Sequence, residues 1–98
     1  MDVQYEDGTS GIHIRLSGDL DFSANAVFKT VILRLAQRKG TPVTIDLGSV
    51  TRIDSVGLGL LYIAKEESGV KIRLKSPRPV VVKMLELTEA DDDFDILP

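Results

Sequence analysis

Apolar and polar positions alternate early in the chain. Ile12, Ile14 and Leu16 are separated by His13 and Arg15, the period of a half-buried strand. A shorter strand over Val3 to Glu6 precedes the turn pair Asp7-Gly8, so the two segments predict an antiparallel hairpin. Ser17-Gly18-Asp19-Leu20-Asp21 reads as a loop. Beyond it the period lengthens. Ala24, Val27, Phe28, Val31, Ile32 and Leu35 fall at helical spacing, with Ser23 as the expected N-cap. Arg34, Arg38 and Lys39 gather where the helix dipole favours cations, and Gly40 ends the helix. Val43 to Leu47 reads as a mostly buried strand, and Gly48 to Ile53 as a connecting loop. A second helix is predicted from about Ser55 to Glu67. It is apolar on several faces (Leu58, Leu60, Leu61, Tyr62, Ile63, Ala64) and is stopped by Ser68-Gly69. Val70, Ile72 and Leu74 alternate with Lys71 and Arg73 as another strand. Pro79 opens a third helix with Val80, Val81, Met84, Leu85 and Leu87 on its apolar side. Phe94, Ile96 and Leu97 in the acidic tail suit a short final element that packs back.

The order ββαβαβα predicts an α/β fold, with a mixed sheet of about four strands and helices packed on it. Right-handed crossovers make the later strands parallel. The chain has 98 residues, enough for one domain over 1–98 with its own core. A net charge of −3 argues against nucleic acid, which needs a basic face, and against direct contact with an anionic membrane. No apolar run approaches the roughly 18 residues that span a bilayer. The N-terminus lacks the features of a signal peptide. A cytoplasmic location is the expectation.

Conventional catalytic constellations are missing. There is no cysteine, which excludes thiolate chemistry and zinc-thiolate sites. The single histidine, His13, falls on the outward side of a strand, whereas a catalytic triad would need it beside a nucleophile. Ile53 occupies the position where a nucleophile elbow requires glycine. No phosphate-binding loop occurs, and Gly57 and Gly59 lack the third glycine of a dinucleotide fingerprint. Those two glycines read instead as places where the helix approaches the sheet closely. The acidic residues of Glu89 to Asp95 lack the glycine and terminal glutamate of a calcium loop and read as a solvated tail. No metal and no cofactor is expected.

The run Asp54-Ser55-Val56-Gly57-Leu58-Gly59 remains. Ser55 at a helix start has three uses. It can cap the helix, a contribution of about 1 kcal/mol. It can bind a partner through its hydroxyl, or it can accept a phosphate. A phosphate would add roughly −1.5 to −2 charges. Beside apolar Val56 and Leu58, with acidic Asp54 and Asp21 nearby, that charge would oppose burial in an interface. The amides of the helix start would still tolerate it in the free protein.

This run, after the strand Val43 to Leu47, resembles the signature of STAS domains and is closest to that of the bacterial anti-sigma factor antagonists. Gly18-Asp19-Leu20-Asp21-Phe22-Ser23 resembles the family's second recurrent segment. The resemblance implies a non-enzymatic partner switch. The unphosphorylated antagonist binds an anti-sigma factor with Ser/Thr kinase activity. Phosphorylation, here at Ser55, releases it, and a metal-dependent Ser/Thr phosphatase restores it. The resemblance also implies partner recognition by Asp21, Ser23, Asp54, Val56, Gly57 and Leu58. One departure is Val56, where many antagonists carry a second hydroxyl residue, so that Ser55 alone can accept phosphate in this motif. Other single-domain STAS proteins are subunits of transport ATPases, including the lipid-asymmetry type, and act as structural regulators. Leu58, Leu61 and Tyr62 are expected docking residues under either reading.

Overall fold

A computed structural model describes all 98 residues. Strand β1 (Asp2–Gly8) and strand β2 (Gly11–Leu20) form the predicted hairpin, with Val3 opposite Leu16 and Tyr5 opposite Ile14. Strand β3 (Val43–Ile53) lies parallel to β2, pairing Ile12 with Val43 and Ile14 with Ile45. Strands β4 (Arg73–Lys75) and β5 (Asp95–Leu97) continue the sheet in parallel, giving the order β1-β2-β3-β4-β5. Helices α1 (Asn25–Gln37), α2 (Ser55–Ser68) and α3 (Pro79–Leu87) lie in the successive crossovers. Each crossover advances to the next strand in the same direction. A common right hand therefore puts every helix on one face of the sheet.

Burial follows this layering. Ile12, Ile14, Leu16, Val43, Ile45, Leu47 and Leu74 are buried beneath the helices. Phe28, Val31 and Leu35 of α1, Leu61 and Ala64 of α2, and Val81 and Leu85 of α3 close over them in one cluster. The opposite face carries His13, Arg15, Asp46 and Lys75 and stays open to water.

The structure departs from the sequence expectation at four places. The sheet has five strands rather than about four, because the tail pairs with β4, Arg73 with Asp95 and Leu74 with Ile96. Fully buried Phe94 anchors that return. The expected loops Ser17 to Asp21 and Gly48 to Ile53 are largely strand. β2 and β3 stay paired through Ser17–Ser49 and Asp19–Arg52, with register shifts that absorb the turn-like residues. Gly18 takes a φ of 107° there, which only glycine adopts readily. Strand β4 begins at Arg73 rather than Val70, although Ile72 and Leu74 are buried as the alternation required. Ser23 does not cap α1. It lies in a short 3-10 helix, Phe22–Ala24, capped by extended Asp21, and α1 starts at Asn25.

The tail is tied to α2 as well as to β4. Tyr62 donates its hydroxyl to Asp93 Oδ2 at 2.5 Å, and its ring meets Phe94 with centroids 5.2 Å apart. The bond to the Asp93 carboxylate, then burial, pushes the Tyr62 phenol from 10.0 up to about 12. A raised folded-state value means that this contribution to stability is complete below about pH 10 and is lost as pH rises from 10.0 to about 12. Ultraviolet titration of the phenols should find Tyr62 ionising near 12, and in Asp93→Asn its ionisation should move down towards 10.0. In the core, Phe28→Ala should cost about 3–5 kcal/mol in urea unfolding, through lost burial and the cavity left behind.

Candidate functional site

The site forms where β2 and β3 end and their helical connections begin. The backbone carries the two chain segments together to this end, pairing Asp19 with Arg52 and Leu20 with Ile53. The Asp54 amide then donates to the Leu20 carbonyl at 3.3 Å. Three residues later α2 presses on the same peptide. A Cβ on Gly57 would lie 1.8 Å from Leu20 O and 2.6 Å from Leu20 C, so no other residue fits without moving the helix. Gly57 is thus a close-approach glycine, as the sequence suggested, whereas Gly59, read the same way, faces open space: a Cβ there would meet nothing within 4 Å.

Two aspartates organise the two segments in the same way. Asp54 is the N-cap of α2, with an extended backbone and Oδ1 accepting from the Gly57 amide at 2.9 Å. Asp21 caps the 3-10 helix, accepting from the Ser23 amide at 2.9 Å and the Ser23 hydroxyl at 2.5 Å. Those two bonds, with smaller help from Arg52, hold the Asp21 carboxyl below the ordinary aspartate range, so it is ionised at neutral pH. Arg52 bridges the segments, with Nε 3.3 Å from Asp19 Oδ2 and Nη2 3.5 Å from Asp21 Oδ2. Thr51 adds a bond to Asp19 Oδ1 at 2.7 Å.

This arrangement overturns the capping role for Ser55. Ser55 is the first residue of α2 and is exposed, while the cap belongs to Asp54. The Ser55 hydroxyl therefore has no structural duty. Beside it Val56 is 44% exposed, and Phe22 on the neighbouring segment is 74% exposed. Asp21, Ser23, Asp54, Ser55 and Val56 thus come together at one end of the molecule. Gly57 and Leu58, expected to contact a partner, lie beneath that surface: Gly57 is buried and Leu58 is 8% exposed. Leu61 is fully buried and cannot provide the docking surface expected of it, whereas Tyr62 is half-buried with its hydroxyl engaged by Asp93. The reason is rotation about the helix axis, which turns Leu58 and Leu61 towards the sheet while Val56 points away.

Sequence reasoning missed Phe22 and Arg52. Phe22 lies inside the recurrent segment Gly18 to Ser23, and an aromatic between Asp21 and Ser23 with no place in the helical stripe is a sign of exposure. Arg52 was hidden by reading Gly48 to Ile53 as a loop. His13 is far from Ser55. It pairs with Thr44, and β3 then runs roughly 30 Å to the start of α2.

Residues 3–98 match the family model described as Mlab, STAS domain. The chain belongs to the STAS domain family. No curated protein matches its sequence. Several solved structures do match this STAS domain in fold. TM1081 of Thermotoga maritima, a candidate anti-sigma factor antagonist, has a TM-score of 0.87 at 22% identity, covering 98% of this chain and 86% of that one. An anti-sigma factor antagonist from Mycobacterium paratuberculosis has a TM-score of 0.83 at 26% identity, covering 99% and 85%. The Bacillus cell-fate determinant SpoIIAA matches in its unphosphorylated form, with a TM-score of 0.79 at 23% identity, covering 97% and 87%. Its phosphorylated form matches with a TM-score of 0.72 at 22% identity, covering 97% and 90%.

Urea unfolding should separate the roles of neighbouring residues in this STAS domain. Asp54→Ala should lose about 1 kcal/mol with the cap, whereas Ser55→Ala should change stability by less than about 0.5 kcal/mol. Gly57→Ala should lose about 3 kcal/mol or more, because the clash is with backbone. An equal loss in Ser55→Ala and Asp54→Ala would contradict the assignment of the cap.

Proposed function

We propose that this STAS domain is an anti-sigma factor antagonist whose switch is phosphorylation of Ser55. In the unphosphorylated state it binds an anti-sigma factor with Ser/Thr kinase activity. Phosphorylation releases the partner, and a metal-dependent Ser/Thr phosphatase resets the switch. The domain acts in the cytoplasm as substrate and ligand rather than as an enzyme.

The observation that carries this reading is the exposed Ser55 hydroxyl, freed by the Asp54 cap and placed beside exposed Val56. A phosphate there disturbs no internal bond, so the modified domain stays folded. Its charge would need desolvating when Val56 and Phe22 are covered by a partner, and the neighbouring acidic residues Asp21 and Asp54 add repulsion. The switch therefore acts on binding and leaves folding alone. Likeness to anti-sigma factor antagonists supports the partner class, and one matched structure is of a phosphorylated form.

A second reading is a structural STAS subunit of a transport ATPase, of the lipid-asymmetry type. The Mlab description of the matching family model favours it, and exposed Phe22 and Val56 would serve permanent docking equally well. Neighbouring genes separate the two: kinase and phosphatase genes for the switch, transporter genes for the subunit.

Incubation with a kinase-type anti-sigma factor and ATP, followed by mass-spectrometric site mapping, should place phosphate on Ser55 and on no other residue of the motif. A competent kinase that leaves Ser55 unmodified would refute the switch. Ser55→Asp should weaken partner binding far more than Ser55→Ala. Equal affinities for the two variants would remove charge as the mechanism.

A further inference from the structure

The sheet face opposite the helices carries side chains that neither the core nor the Ser55 surface uses. Strand register sets them in two rows. One row runs Glu6, His13, Thr44, Arg73, and the next runs Gln4, Arg15, Asp46, Lys75. Neighbours in a row are about 4.8 Å apart, and the rows are about 7 Å apart. Thr44 is the shortest side chain in the middle of this array. The longer ones around it leave a depression of about 330 Å³ and shield Thr44 to 5% exposure. No hydrogen bond within the chain engages the Thr44 hydroxyl. No buried side-chain oxygen is left without a partner either, so this hydroxyl reaches the open depression.

The charges around the depression are unevenly engaged. Asp46 leans along its strand away from Thr44, with Oδ1 accepting from the Gly48 amide at 2.8 Å. Its Oδ2 lies 3.6 Å from Arg15 Nε, which leaves the Arg15 Nη groups free. Asp95, beside Arg73 in the row, pairs instead with Lys71 at 3.4 Å. Arg73 and Lys75 therefore have no carboxylate partner. Glu6 stands alone on the far side, on β1. Three cations thus face two carboxylates, one of them already engaged, in a chain whose net charge is −3.

The geometry points to a binding site for a small hydroxylated anion, a phosphate or a carboxylate, on this face of the sheet. Its anionic group accepts from the Thr44 hydroxyl and lies between Arg15 and Lys75, with Arg73 at the side. The body of the ligand extends over β2 towards β1, where Glu6 and Gln4 accept from its hydroxyls. The volume is at the small end for ligand sites. The site lies roughly 30 Å from Ser55 along β3 and does not rest on the phosphorylation switch.

Amide nuclear magnetic resonance titrations of the full chain with glucose 6-phosphate, gluconate and glucose test the site. At least one of the two anions should give saturable shifts at residues 13–15, 44–46 and 73–75. The tighter of the two identifies the anionic group as phosphate or carboxylate. Neutral glucose should give none. Thr44→Val and Lys75→Gln should each weaken binding by about fivefold or more, and added salt should weaken it further. Thr44→Val should keep or raise the Tm, since no internal bond is lost. Lys83→Gln, on exposed α3 surface, should bind as the wild type does. Ser55→Asp should do the same, so this site and the switch can fail separately. Absence of saturable shifts with both anions would overturn the site. So would shifts centred off this sheet face, an equal response to glucose, or wild-type affinity in both Thr44→Val and Lys75→Gln.

Discussion

The seat of α2 on the end of β2 sets the geometry on which the rest depends. Leu20 offers its carbonyl to the Asp54 amide, and Gly57 leaves bare backbone where any side chain would meet that same carbonyl at 1.8 Å. This contact holds the helix start close against the sheet. It turns Leu58, Leu60 and Leu61 into the core and leaves Ser55 and Val56 outside. It also joins the Asp21 segment to the Asp54 segment, because both hang from the last paired residues of β2 and β3.

Two aspartates then divide the work. Each follows directly on a strand, in extended conformation, and its carboxylate accepts from an amide of the helical turn that comes next. The consequence for Ser55 is the important one. A serine at a helix start ordinarily earns its place as a cap, but here Asp54 has that role. What remains is a hydroxyl in water beside an apolar patch, which is the right chemistry for a modification that alters recognition without altering the fold. In the proposed switch, fold and modification are separable because the stabilising bonds and the Ser55 hydroxyl belong to adjacent but different residues.

Much of this was legible in the sequence. Alternation over Ile12 to Leu16 and helical spacing from Ala24 to Leu35 are strong signals, since one face of each element is buried and the other is not. The motif around Ser55 was recognisable, and the reading of Gly57 as a close approach was sound. The failures share a cause. Gly18, Asp19 and Gly48 look like turn residues, and strand pairing with register shifts overrode that local preference. The cap was misread because Asp54 and Ser55 are both good caps, and only the backbone shows which one is extended. Leu58 was placed on the surface because a helix apolar on several sides does not reveal its rotation. The last strand is only three residues long and follows an acidic run, and buried Phe94 was its main sign.

The central claim is that a partner covers the end of the molecule where Ser55 lies, and that phosphate on Ser55 prevents this while leaving the fold intact. An amide nuclear magnetic resonance titration with the kinase-type partner, run on unphosphorylated and Ser55-phosphorylated protein, tests it most directly. The account predicts that signals of residues 21–23 and 54–63 change on adding partner to the unphosphorylated protein. The phosphorylated protein should show a native spectrum that the partner leaves unaltered. Changes centred on the polar sheet face of His13, Arg15 and Lys75, or equal changes in both forms, would contradict it.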